Sequence, residues 1–391
     1  MPVINRLAEF HDEITAWRRD FHENPEILYE THRTAARVAE LLGEFGIDDV
    51  TTGIGQTGVV GVIKGKNGGE GKTIALRADM DALPLTEITG KEWASKTDGA
   101  MHACGHDGHT AMLLGTAKYL AETRNFDGTV VLIFQPAEEG GAGAKAMMDD
   151  GLMDRWNIEE VYGLHNMPGM PVGEFAIRSG PLMAATDEFE ITINGLGGHA
   201  AQPHQTVDPI VVGSQIVTGF QSIVSRNRKP LDSAVISVTV FEAGSAFNII
   251  PETATLRGTV RTLSTETREL CEVRIKKMVE SICEAHGATA DINYMKNYPV
   301  CSNHAAPTAF AAKIAAEVAG GEDKVNTEIE PSMGGEDFAY YLEDRPGAFI
   351  FAGNGDTAKL HNPAYDFNDE LIPYGCSYFI KLVETAMPAS A

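Results

Sequence analysis

Apolar positions in the first 45 residues recur at helical spacing. Residues 5–22 and 31–45 each gather their large apolar side chains on one stripe, and the second segment runs into Gly46, so two amphipathic helices are predicted. The pattern then tightens. Thr73–Ala78 and Thr129–Phe134 are unbroken runs of apolar and β-branched residues, and Val161–Leu164 is a shorter one. Between them, Ala111–Ala121 continues a helix with Leu113, Ala117 and Leu120 on one face, and Ala142–Asp149 is a helix stopped by Gly151. Strands without polar alternation, interleaved with helices, predict a mostly parallel sheet covered on both faces.

Beyond about residue 183 the period changes. Glu188–Asn194 alternates Phe189, Ile191 and Ile193 with polar neighbours, the mark of a half-buried antiparallel strand. Ala234–Phe241 and Thr253–Thr262 repeat that alternation. Pro209–Arg226 reads as a helix, and Thr265–His286 as a long helix stopped by Gly287. This β-α-β-β-α order suits a small α+β layer whose sheet turns one face to water. Apolar strands (Ala348–Ala352) and helices then return. The predicted class is therefore α/β: a mostly parallel-sheet main domain covered by helices, made of residues 1–183 and 299–391, with an α+β domain, 184–298, inserted in it.

Composition narrows the partners. The chain of 391 residues carries a formal net charge of -24, which would repel nucleic acid and anionic membranes alike. No stretch approaches the roughly 20 apolar residues of a membrane span. The first residues lack an apolar core of the secretory kind, so a cytoplasmic location is expected. Cys104, Cys271, Cys283, Cys301 and Cys376 are odd in number and scattered, which argues against a disulfide framework. Four of them read as small buried apolar residues; Cys104 has different neighbours.

Four polar clusters follow strands, where open parallel sheets bind ligands. Asp79 and Asp81, just past the Thr73–Ala78 run, taken alone suit a solvated turn before Pro84. Met101–His109 packs His102, Cys104, His106, Asp107 and His109 into nine positions bounded by glycines. Thiolate and imidazole are good ligands for divalent transition metals, and the density of donors favours a metal site over satisfied core histidines. Cys104 and His106 are the expected ligands, with His109 a supporting or packing residue. Glu138 and Glu139, after the Thr129–Phe134 run, suit a division of labour between metal ligand and proton acceptor, although a helix N-terminus also enriches Glu. His165, directly after Val161–Leu164, and His361, one loop after Ala348–Ala352, enlarge the donor set enough for two ions.

The stretches MHACGHDGH, FQPAEEG, GLHNMP, GLGGHAAQPH and LHNPAYDFND together resemble the dinuclear amidohydrolases that include hippurate hydrolase, the auxin-conjugate hydrolases and N-acetyl-diaminopimelate deacetylase, within the aminoacylase and carboxypeptidase superfamily of metallopeptidases. The likeness runs from about Trp17 to Asp369. It implies that Cys104 bridges two metals in place of the bridging Asp of other branches, with His106, Glu139, His165 and His361 as the other ligands. It also makes Glu138 the general base and later acid, and Asp81 the residue that orients a ligand. Asp79 stands where other branches carry a metal-binding His, a ligand that His106 replaces. In the inserted domain the resemblance assigns His199 to polarising the scissile carbonyl, and Asn248 and Arg261 to holding substrate. From the residues alone, His199 is an exposed turn histidine and Arg261 a solvated charge. Gly334–Phe338 matches a further motif, taken as structural support.

The expected activity is metal-dependent hydrolysis of the amide bond of N-acyl amino acids, whether acetyl, benzoyl or longer. Manganese or zinc is the expected metal, with cobalt and nickel compatible with a bridging thiolate. The inserted domain would serve as a lid and pair subunits into a homodimer or homotetramer. Three rivals stay open: a dipeptidase or carboxypeptidase of the same superfamily, a Cys104 acyl-transfer nucleophile, and a metal-binding module without catalysis. The surplus carboxylate of Glu138 argues against the last.

Overall fold

The computed structural model describes residues 3–390. In chain order the main elements begin with α1 (Arg6–Glu23), α2 (His32–Glu44), β1 (Asp49–Ile54), β2 (Gly58–Lys64), β3 (Thr73–Asp79), α3 (His106–Thr123), β4 (Thr129–Gln135), α4 (Gly143–Asp149), α5 (Leu152–Arg155), β5 (Glu160–Met167) and β6 (Phe175–Ala176). Next come β7 (Gly180–Met183), β8 (Ala185–Asn194), β9 (Gly198–His199), α6 (Pro209–Ser222), β10 (Ala234–Ala243), β11 (Ile249–Ile250), β12 (Thr253–Thr262), α7 (Thr265–His286) and β13 (Thr289–Lys296). The chain closes with β14 (Cys301–Asn303), α8 (Ala305–Ala319), β15 (Val325–Asn326), α9 (Ala339–Asp344), β16 (Gly347–Gly353) and α10 (Ile372–Ala386).

These divide into two compact units. The larger comprises Met1–Gly180, Ser302–Glu330 and Asp337–Ala391; the smaller comprises Pro181–Cys301 and Pro331–Glu336. The larger unit holds an eight-stranded sheet in the order β1-β2-β4-β3-β5-β16-β6-β15. Its centre is parallel, through β4/β3, β3/β5 and β5/β16. The β1–β2 hairpin joins one side antiparallel, an element that the sequence pattern did not predict. Both faces are covered, which explains the unbroken apolar runs. Along β4, Val130, Leu132 and Phe134 join the core built with α1, α3, α8 and α10, while Val131 and Ile133 are buried on the opposite face, where α4 packs.

The smaller unit is a four-stranded antiparallel sheet, β10-β12-β8-β13, with α6 and α7 packed against it. Along β8, Phe189, Ile191 and Ile193 enter its core with Ile216 and Phe220 of α6 and Ile275 and Val279 of α7. Two expectations are corrected here. The helix predicted to Arg226 ends at Ser222 and loosens into a π-turn, Ile223–Asn227. The predicted β-α-β-β-α order lacked β13, whose Ala290, Ile292 and Tyr294 are only half-buried and so alternate weakly against polar neighbours.

Candidate metal centre and active site

The carboxyl ends of the parallel strands of the larger unit carry the expected donors. Asp79 closes β3, and Asp81 lies two residues on. Glu138 and Glu139 follow β4. His165 and Asn166 lie inside β5, not after it, because that strand continues to Met167 beside Phe351 and Ala352 of β16. The helix that Ala111–Ala121 was expected to continue begins at His106, so its first turn presents His106 and His109. Gly105 makes that turn possible: its φ is 93°, and a Cβ there would collide with the Asn166 side chain. His361 also takes a positive φ, 60°, and its amide N–H donates to the Ala103 carbonyl at 2.8 Å, tying its loop to that of Cys104. A histidine held in this region is the kind of strain that collects at functional sites.

The donor atoms converge. Those of Cys104, His106 and His165 lie within 4.8 Å of one another, as do those of Cys104, Glu139 and His361. Cys104 belongs to both sets. Its sulfur is 3.4 Å from His165 Nε2, and His361 Nε2 is 3.2 Å from Glu139 Oε1. The ring orientations are fixed from behind. His106 Nδ1 donates to the Asp81 carbonyl at 2.8 Å, and His165 Nδ1 to the Asn166 carbonyl at 2.8 Å, which leaves each Nε2 turned inward. His106 Nε2 is buried without a hydrogen-bond partner, 3.6 Å from Asp79 and 3.9 Å from Glu139. An orphaned inward nitrogen among carboxylates and a thiol suits divalent cations.

The electrostatics agree. Burial lowers the His106 pKa, but Asp79, Asp81 and Glu139 outweigh it and push the ring up to about 10. Burial, reinforced by Glu139 and Glu138, holds the Cys104 thiol well above its usual range. Burial acts on His165 in the other direction, keeping it well below the ordinary imidazole value and neutral, with His109 adding to the effect. Such a site accumulates negative charge that cations would neutralise, and a dication there would displace the protons.

Asp81 is the hub of the surrounding shell. Its carboxylate accepts the amide N–H of Glu138 at 3.0 Å and of Glu139 at 3.1 Å. Asp79 is engaged on both oxygens, by Arg77 Nη1 at 2.7 Å and His109 Nδ1 at 2.6 Å. His109 Nε2 accepts the Asn166 amide at 3.1 Å, so His109 braces β3 and β5. A second network, not foreseen, lies behind α3. His22 Nδ1 pairs with Asp107 at 2.8 Å, and Arg18 binds Asp369 at 2.8 Å and Asp107 at 3.5 Å.

The three remaining candidates lie on the smaller unit. His199 and Ile249 pair across β9 and β11, and the Ala200 N–H donates to the Asn248 carbonyl at 3.0 Å, so His199 and Asn248 are neighbours. His199 is exposed and its Nδ1 accepts the Ala201 N–H at 3.1 Å, which leaves Nε2–H as a free donor. Arg261 is half-buried on β12 against Thr259 and the Val260 carbonyl, apart from that pair.

Known proteins resemble this chain over its whole length. It is 44% identical to hippurate hydrolase of Campylobacter jejuni over 98% of both chains, and 41% identical to N-acetylcysteine deacetylase of Bacillus subtilis over 95% of this chain and 96% of that one. A dinuclear metal-binding peptidase of the M20 family from Bacillus subtilis superposes with a TM-score of 0.84, at 36% identity, covering 97% of this chain and 99% of the other. Residues 75–385 match a family model spanning every donor named above, and the chain belongs to peptidase family M20/M25/M40.

Proposed function

We propose that the protein is a metal-dependent amidohydrolase that cleaves the amide bond of N-acyl amino acids. The observation that carries this reading is the meeting of two donor triads at Cys104 beside a further buried carboxylate, Glu138, whose oxygen lies within 4.8 Å of donor atoms of His106 and Glu139. Relatives named for hippurate and N-acetylcysteine support the substrate class. Cys104, His106, Glu139, His165 and His361 would hold two divalent ions, manganese or zinc, which supply Lewis-acid activation of the carbonyl and of a water molecule.

The chain's own residues do the rest. Glu138, oriented through its backbone by Asp81, accepts a proton from the attacking water and returns it to the departing amine nitrogen. His199, through Nε2–H, is proposed to bind the acyl oxygen, Asn248 to hold the substrate carbonyl and Arg261 its carboxylate. A thiol held protonated by burial makes Cys104 a poor unassisted nucleophile. Cytoplasmic location and pairing through the smaller unit into a homodimer or homotetramer complete the proposal.

The test is amine release from a panel of N-acetyl and N-benzoyl amino acids before and after exhaustive chelation. Activity should vanish with the metal and return on adding manganese or zinc. Full activity in metal-free protein sinks the reading.

A further inference from the structure

The loop carrying Glu138 has little intrinsic reason to hold one shape. Between Gln135 and Ala144 it places Ala137, Gly140 and Ala142 at φ values of 53°, 95° and 55°. For alanine this region is strained, so the surroundings must impose it. Part of the restraint is local, in the Gly143 N–H to Ala137 carbonyl bond of 3.0 Å. Its middle is held by Asp81, which accepts the Glu138 and Glu139 N–H groups, and by Tyr29, whose hydroxyl donates to the Gly141 carbonyl at 2.7 Å; its two ends converge on one side chain from a distant segment. Asp337 Oδ1 accepts Arg77 Nη2 at 2.9 Å and Gln135 Nε2 at 2.8 Å. Its Oδ2 accepts Gln135 Nε2 at 2.8 Å and the Ala144 N–H at 2.9 Å. One buried carboxylate therefore grips both ends of the loop. The amide N–H of the same residue faces Glu138 Oε1 at 3.4 Å.

We propose that Asp337 is a positioning residue for Glu138, fixing the loop at both ends and aligning the carboxylate through its own backbone. The proposal rests on the reading of Glu138 as the general base. Arg77 makes the arrangement affordable in a buried setting: its guanidinium spans Asp337, Gln135 and Asp79, so the charge of Asp337 is balanced where it sits. Asp337 need not touch substrate. A displacement of the base by about 1 Å is enough to cost roughly 100-fold in rate.

The experiment uses the full-length, metal-loaded protein. Asp337→Asn keeps the shape and one acceptor; Asp337→Ala removes the clamp. Expected are a fall in kcat of about 10-fold for the first and about 100-fold for the second, with KM within about two-fold and metal content unchanged. Combined with Glu138→Gln, either change should add no further loss, because both act through the same group. A mere strut would lower thermal stability or metal content and leave kcat alone, and that result overturns the proposal. So does a double variant whose losses multiply. Should Asp337→Ala fail to fold, Asp337→Asn decides. Normal kcat in both Asp337 variants with a dead Glu138→Gln defeats the positioning role alone, whereas an active Glu138→Gln defeats the base assignment itself.

Discussion

The two units solve the problem of a buried sheet in opposite ways. In the smaller one the interior beneath the four-stranded sheet is apolar: Phe189, Ile191, Leu256, Val260, Ile275 and Val279 share one core, and a buried ion pair of Asp187 with Arg268 at 2.6 Å lies in the same unit. In the larger unit the carboxyl ends of the strands bury Arg77, Asp79, Asp81, His106, Asp107, His109, Glu138, His165 and Asp337 together. Among the described residues, every non-glycine residue with positive φ lies in the larger unit, including Ala137, Ala142 and His361. The first interior maximises apolar contact. The second accepts desolvated charge and strained backbone: Arg77 balances Asp79 and Asp337, Asp81 accepts backbone N–H groups, and the carboxylates left in excess suit a site for cations. Catalytic geometry is obtained at the expense of local preference, and the rest of the fold must over-determine it.

The sharpest way to break that contrast is to remove a balancing charge. Arg77→Met leaves Asp337 buried without its cation and strips Asp79 of one of its partners, and should destabilise the protein by about 3–5 kcal/mol. Urea unfolding checks the value, and a loss below about 1 kcal/mol would mean that the carboxylates are balanced in some other way. Because Arg77 also ties Gln135, metal affinity and turnover should fall with stability.

A smaller effect tests the network behind α3. Burial depresses the His22 pKa, but Asp107 and Glu87 outweigh it and raise it to about 9, against an ordinary 6.5. A histidine raised on folding stabilises fully below the unfolded value and loses that contribution as pH climbs through the folded one. Stability should therefore drop between about pH 6.5 and 9, by roughly 3 kcal/mol at 1.36 kcal/mol per unit. The lowered pKa of Asp107 reports the same contact from its other side, so the two are not summed. The difference in unfolding free energy between wild type and His22→Gln isolates the effect. A constant difference across that range contradicts it.

This contrast also decides what could be read from sequence. The strands β8 and β12 and the helix α7 were legible to within a few residues, because one wet face imposes alternation and Gly287, at φ 76°, stops the helix. The donors proposed for the candidate metal centre stood out in the sequence for a different reason: their density in Met101–His109 and their resemblance to a known family. What sequence could not show is the second layer. Arg77, Asp337 and His22 are separated by long stretches of chain; Asp337 fell in a motif taken only as structural support, and Arg77 and His22 taken alone are ordinary charges. Only folding brings Arg77 within 2.9 Å of Asp337. The β1–β2 hairpin escaped because its glycines and polar edge blur the period-two signal.

The mildest prediction sharpens the comparison from the side of the smaller unit. There the local rules should hold without compensation elsewhere, so a change to one should cost its ordinary amount and no more. Ser264 is the N-cap of α7, in extended backbone, and its hydroxyl accepts the Thr267 N–H at 3.2 Å. Ser264→Ala removes that acceptor, a loss of about 1 kcal/mol. Because α7 packs on β12 and β13 of its own sheet and carries none of the metal donors, metal content should be unaffected. A urea midpoint shifted with unchanged slope, alongside full metal occupancy, is the expected result. Loss of metal from this variant would show that the smaller unit is not the locally determined structure its apolar core implies.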